Sequence, residues 1–200
     1  MKHSLSSALL MTIALAAQGK SPEWADPGVN EINRMPMRTS HFAYRDGEPH
    51  DKTASANFLN LDGKWKFKFV ENRDERPSED VFSKEYDDTS WGTMQVPGMW
   101  ELNGYGSPMY LNVGYPWRGN FRNNPPITPD KENSVGTYRL SITVPAEWEG
   151  KDVIAHFGSA TSNLAVWVNG KRAGYGEDSK LAQEFDVTPY IIPGNKNLIA

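Results

Sequence analysis

Trp65, Phe67 and Phe69 alternate with Lys64, Lys66 and Lys68, a period of two that gives a strand one apolar and one solvated face. A helix would scatter the same aromatics around its circumference, so only a strand buries them together. The pattern begins just after Leu61-Asp62-Gly63. Shorter apolar runs predict further strands at 93–96, 135–144, 152–157, 163–168 and 195–200. Val166 and Val168 lead into Asn169-Gly170, a dipeptide that tolerates the positive φ angles of a two-residue hairpin. Asp88-Thr89-Ser90-Trp91 and Asp186-Val187-Thr188-Pro189 read as turns or single helical turns. No stretch sustains a 3.6-residue apolar period, and neither a repeat nor βαβ alternation occurs. Many short strands between turns predict an all-β chain, an antiparallel β-sandwich and most simply a jelly roll.

Two segments precede that body. Residues 18–57 carry Pro22, Pro27, Pro36 and Pro49 among polar residues, with Trp24, Ile32, Met35, Met37, Phe42 and Tyr44 as apolar hooks. They predict an extended, irregular arm laid over the sandwich of residues 58–200. Residues 1–17 have a basic start at Lys2, an apolar run from Ala8 to Ala17 broken by Thr12, and an A-x-A site at Ala14-Leu15-Ala16. This is the layout of a secretory signal peptide, and the run is about half the roughly 20 residues of a membrane span. Cysteine is absent, which excludes disulfides and a lipid anchor at the cleavage point. Export to a bacterial periplasm is the expected localisation. Asn197-Leu198-Ile199-Ala200 lies inside a predicted strand with no turn after it, so the chain reads as a fragment truncated at its C-terminal strand.

A net charge of -4 supplies no basic face for nucleic acid. Aromatics make up 12% of the chain, a richness typical of β-sandwiches and of carbohydrate binders, with core packing the commoner reason for it. His41, His50 and His156 lack the short spacing of a zinc pair, and His3 falls in the signal. Gly104-Tyr105-Gly106 is no phosphate loop, and no Ser or Thr sits in a nucleophile elbow. Asp87-Asp88 and Glu79-Asp80 read as solvated surface acids.

The specific pattern lies in the middle of the chain. Val96-Pro97-Gly98-Met99-Trp100 leads to Pro108-Met109-Tyr110-Leu111-Asn112-Val113-Gly114-Tyr115-Pro116, then Asn124-Pro125-Pro126 and Gly136-Thr137-Tyr138-Arg139. Later blocks are Trp167-Val168-Asn169-Gly170, Gly174-Tyr175-Gly176-Glu177-Asp178-Ser179 and Glu184-Phe185-Asp186-Val187-Thr188. In order and spacing these blocks, from about Trp24 to Ala200, resemble the N-terminal sugar-binding domain of family 2 glycoside hydrolases, specifically the large bacterial β-galactosidases. Leu61-Asp62-Gly63-x-Trp65-x-Phe67 and Trp-x-Asn-Gly extend across the wider family, which includes β-glucuronidases and β-mannosidases. The stretch from Pro108 to Pro126 is the part characteristic of β-galactosidases.

The resemblance implies that Asn112 reaches the active site and hydrogen-bonds galactose. An Asn amide suits this because it both donates and accepts; read without the resemblance, Asn112 is a loop-capping residue near Pro116. Tyr110, Tyr115 and Trp117 then stack on sugar or brace that loop. The resemblance assigns no catalytic role to Glu177-Asp178 and places the catalytic Glu pair of a retaining glycosidase in a downstream barrel. It also implies Mg²⁺ and Na⁺ in the complete enzyme, with Glu177 at a position that helps hold magnesium in some members. Read from the residues alone, Glu177 is an exposed loop acid. The expected partners are a β-galactoside substrate and other copies of the chain, a tetramer in the complete enzyme, with neither nucleic acid nor a membrane span. A free-standing carbohydrate-binding module and another family 2 glycosidase remain as alternatives.

Overall fold

A computed structural model of the protein describes residues 22–109, 128–129 and 131–200. The signal peptide expected at 1–17, the start of the arm, and Asn112 with the motifs around it lie outside the described residues. Among the described residues nine strands form in chain order: β1 (Glu31–Ile32), β2 (Gly63–Val70), β3 (Gly92–Val96), β4 (Val135–Thr143), β5 (Ile154–Phe157), β6 (Asn163–Val168), β7 (Lys171–Glu177), β8 (Gln183–Asp186) and β9 (Lys196–Ile199). Seven of them make one sheet in the order β1-β7-β6-β9-β4-β2-β3, and β5 pairs with β8 in a second. All pairings are antiparallel. Among the described residues helical structure is confined to short 3₁₀ turns, and no helix is long and apolar enough to cross a membrane. The chain is therefore an all-β sandwich, as its pattern predicts.

The alternation on β2 divides the large sheet as expected on one side. Trp65 and Phe67 are buried, opposite Met94 of β3 and Tyr138 of β4 respectively. The lysine side corrects the expectation of a solvated face. Arg139 lies opposite Lys66 and is only 4% exposed. Its guanidinium donates to the Asp88 carboxylate at 2.7 Å and to the backbone carbonyls of Val81, Ser83 and Tyr86. The chain between β2 and β3 thus folds across this side, burying Val81 and Trp91. Asp88 is the counter-ion of a buried arginine and no free surface acid. A buried charge is tolerable only when paired and hydrogen-bonded, and Arg139 has both a carboxylate partner and three carbonyl acceptors.

The second sheet packs over β6 and β7 through Val153, Ala155, Val166, Val168, Ala173, Phe185 and Val187. Its approach is close. A Cβ on Gly174 would stand 2.3 Å from the Phe185 ring and 2.9 Å from the Ile32 carbonyl oxygen. One on Gly176 would stand 2.1 Å from Gln183. Asn169 and Gly170 adopt φ values of 52° and 79°, closing the predicted β6–β7 hairpin. The Asn169 side chain then donates to Tyr190 and Asn197 and accepts from the Leu198 amide. The buried Asn197 amide is satisfied at both ends by Ile192, Asn195 and Asn169, which fixes the connection ahead of β9.

The arm is more ordered than its prolines suggest. β1 pairs with β7, placing Glu31 opposite Gly176 and Ile32 opposite Tyr175. Two residues later Arg34 bridges to Phe185, and the Met35 amide donates to the Glu184 carbonyl at 2.8 Å. One short segment therefore pairs with an edge of both sheets. Glu184 extends this attachment with its side chain, accepting from Arg38 Nε at 2.7 Å and Nη2 at 3.0 Å and meeting His156 Nδ1 at 3.0 Å.

Two outcomes follow from this packing. Gly174→Ala should lower unfolding free energy by about 1–3 kcal/mol through overpacking, measured by urea titration. For the arm, the Arg38 guanidinium, aided by His156, holds the Glu184 carboxyl below the usual carboxylate range against the effect of burial. A depressed pKa stabilises above the ordinary value and is lost as pH falls through the lowered one. Amide protection over residues 35–41 should therefore persist through the ordinary carboxylate range and fall only below it. Glu184→Gln should lower that protection at neutral pH, and unchanged exchange in the variant would show that the carboxylate does not hold the arm.

Candidate functional site

Asn112 lies outside the described residues, which define both roots of the segment that carries it. On the departing side β3 ends at Val96, and a 3₁₀ turn at Glu101–Asn103 follows. The Asn103 and Tyr105 amides both donate to the Trp100 carbonyl, at 2.9 and 3.0 Å, and Asn103 Nδ2 donates to the Met99 carbonyl. Gly104 and Gly106 close the turn at φ values of 85° and 69°, a region that penalises a Cβ. The loop settles on the aromatic side of β2 and β4. Trp100 meets Phe69 edge to face at 5.3 Å, and Tyr105 meets Phe67 at 4.8 Å. Gly136 leaves room for the Trp100 indole, which a Cβ there would approach to 2.5 Å.

A polar contact completes this root. Trp100 Nε1 donates to the Tyr138 hydroxyl at 2.5 Å. Burial pushes the Tyr138 phenol above its ordinary pKa, partly opposed by that indole hydrogen bond, so it stays neutral and serves as acceptor. The apolar surface of the same loop faces outward, with Met99 61%, Leu102 81% and Met109 63% exposed.

The returning root is polar. Arg73 Nη1, just beyond β2, donates to Thr128 Oγ1 at 2.9 Å. Asn72 Oδ1 accepts from the Glu132 amide at 3.2 Å, and Asn133 Nδ2 donates to the Pro129 carbonyl at 2.9 Å. Val135 then enters β4 opposite Val70. Both roots thus converge on the C-terminal end of β2, one through rings and one through hydrogen bonds. Sequence reading singled out the segment but not Arg73, Asn72 or Tyr138 as its supports. Their partners lie 38 to 60 residues away, beyond any local pattern.

The other sequence candidates lie elsewhere. Glu177 is the last residue of β7, half-buried, so it is no exposed loop acid. Its Oε1 accepts from the Tyr175 hydroxyl at 2.5 Å, and its amide donates to the Asn30 carbonyl. Burial and then the neighbouring Glu177 push the Tyr175 phenol far above its ordinary pKa, so this hydroxyl remains a donor. Asp178 faces Arg34 at 3.5 Å. Among the described residues no group of three or more His, Asp or Glu side chains could hold a metal ion. Mg²⁺ requires near-octahedral oxygen coordination. Glu177 offers one carboxylate already bonded to a phenol, so the described residues do not by themselves form a magnesium site. His156 is half-exposed on β5 and is engaged with Glu184.

Residues 58–200 match the family described as "Glycosyl hydrolases family 2, sugar binding domain". The chain is 36% identical over 181 residues to a protein named beta-galactosidase from Priestia megaterium, covering 88% of this chain and 17% of the relative. It is also 36% identical over 182 residues to a beta-galactosidase large subunit from Leuconostoc lactis, covering 84% of this chain and 29% of the relative. The chain thus spans less than a third of the length of these relatives. A solved Bacteroides uniformis beta-glucuronidase 2 overlays 70% of this chain and 14% of its own at 19% identity and TM-score 0.49, a likeness too loose to bear on function.

The departing root can be tested on its own. Trp100→Phe removes one hydrogen bond to Tyr138 and should cost about 1 kcal/mol. Trp100→Ala also empties the space over Gly136 and should cost about 3 kcal/mol. Urea unfolding followed by circular dichroism distinguishes the two, and equal losses would mean that ring packing contributes nothing.

Proposed function

This chain belongs to family 2 of the glycosyl hydrolases, as its sugar-binding domain, and on that premise we propose that it serves a retaining β-galactosidase acting on terminal β-D-galactosides such as lactose. The observation that carries this reading is 36% identity to proteins named beta-galactosidase along nearly the whole chain. The two catalytic carboxylates belong to a barrel outside these residues, about 5 Å apart as retention requires. This domain contributes Asn112, whose amide donates to one sugar hydroxyl and accepts from another. Binding spent on a non-reacting hydroxyl accelerates the reaction where it strengthens in the transition state.

Several features accompany this reading. Residues 1–17 direct export to a bacterial periplasm and 18–57 act as the arm of the sandwich, whose crossovers suit a jelly roll. The complete enzyme assembles as a homotetramer and holds Mg²⁺ and Na⁺, with Glu177 supplying at most one oxygen ligand. Cations there would neutralise and orient groups around the sugar.

Asn112→Ala in the complete enzyme should cost about 1–3 kcal/mol of transition-state stabilisation, read from kcat/KM on a chromogenic galactoside. An unchanged kcat/KM would remove Asn112 from the site.

A further inference from the structure

A cleft of about 220 Å³ opens between the β4–β5 and β8–β9 connections. Its apolar lining comes from Trp148, Val153, Ile191 and Pro193. Trp148 and Ile191 also pack against the core, so these walls stand formed without a ligand. Trp148 is further fixed by its Nε1, which donates to the Ala56 carbonyl at 2.8 Å. The opposite loop is held by the Asn197 network, which binds Ile192 through both its amide and its carbonyl.

The polar groups of the cleft are three and different. Thr188 Oγ1 accepts from the Val153 amide at 2.8 Å and keeps its hydroxyl hydrogen for donation. Lys151 uses one of its three ammonium hydrogens on Asn57 Oδ1 at 3.0 Å. Glu149 adds an exposed acceptor. An indole beside donors and acceptors matches a pyranose, which has an apolar C–H face and hydroxyls that both donate and accept. The charges of Lys151 and Glu149 are opposite in sign, so neither an anion nor a cation is favoured over a neutral polyhydroxyl ligand. The volume falls short of the roughly 300–1,000 Å³ of drug-sized sites, which suits a single ring.

We propose that this cleft is a second sugar subsite, taking one neutral monosaccharide unit. It rests on the reading of the domain as a sugar binder but not on the role given to Asn112. The subsite would hold a glycan or a second galactoside on the domain surface without taking part in the chemistry.

The test is a titration of the ¹⁵N-labelled protein with methyl β-D-galactoside. Saturable shifts at residues 148–153 and 188–193 are expected, with a Kd on the order of 1 mM. Trp148→Ala should abolish them but also removes core packing, so a second variant decides. Gly150 lines the cleft at φ +75°, with nothing within 4 Å of an added Cβ. Asn tolerates that backbone region, so Gly150→Asn narrows the rim and leaves the packing intact. It should weaken binding about tenfold, while Asn112→Ala should leave the shifts unchanged. Absence of shifts in these residues, full binding by Gly150→Asn, or loss of the shifts in Asn112→Ala would each overturn the subsite. None of these results touches the kcat/KM measurement on which the role of Asn112 depends.

Discussion

The sandwich depends on how closely other chain segments approach β7. At Gly174 and Gly176 the space a Cβ would fill is taken by Phe185 and Gln183 of β8 and by the arm at Ile32 and Arg34. Side chains at those positions would hold off both the second sheet and the arm. With them absent, one stretch of arm pairs with β7 at Glu31 and Ile32 and reaches β8 at Arg34 and Met35. Edges that would otherwise present unpaired backbone groups are thereby covered. The seven-stranded sheet and the two-stranded sheet are joined by backbone hydrogen bonds as well as by apolar contact.

Charged residues serve this architecture in two distinct ways. Arg139 is buried and anchors the connection between β2 and β3 through Asp88 and three carbonyls. Its worth lies in specifying one path for that connection, because any other path leaves the guanidinium desolvated and unpaired. Glu184 lies nearer the surface and binds the arm through Arg38 with a bidentate geometry. That pair is more exposed to solvent, so it fastens the arm more weakly and answers to pH. The body is thus held by a buried arginine, and the arm by a more exposed pair.

Much of the fold was legible because β2, β3, β4, β5, β6 and β9 carry apolar alternation or apolar runs. β7 and β8 give no such signal, for reasons visible in their residues. The centre of β7 reads Ala173-Gly174-Tyr175-Gly176, where close approach demands glycine and removes the apolar signal. β8 has one apolar residue, Phe185, between Glu184 and Asp186. β1 is two residues long and exists only because an edge is there to receive it. The misreading of Asp88 has the same origin, since its partner stands 51 residues away. For the candidate site the segment was legible from its motif and its supports were not. The rings of Trp100 and Tyr105 gave no hint that they would settle on Phe67 and Phe69.

The two roots bring the described residues on either side of the Asn112 segment onto one strand. Ordering a long segment costs conformational entropy for every residue fixed. Fixing the residues of both roots on one short stretch of β2 meets part of that cost within the fold itself. The roots use different forces, ring packing at Trp100 and Tyr105 and hydrogen bonds at Arg73 and Asn72, so weakening one leaves the other in place. The alternating Trp, Phe and Lys pattern of β2 serves at once as core, as cover for Arg139 and as footing for the turn at Trp100 and Tyr105.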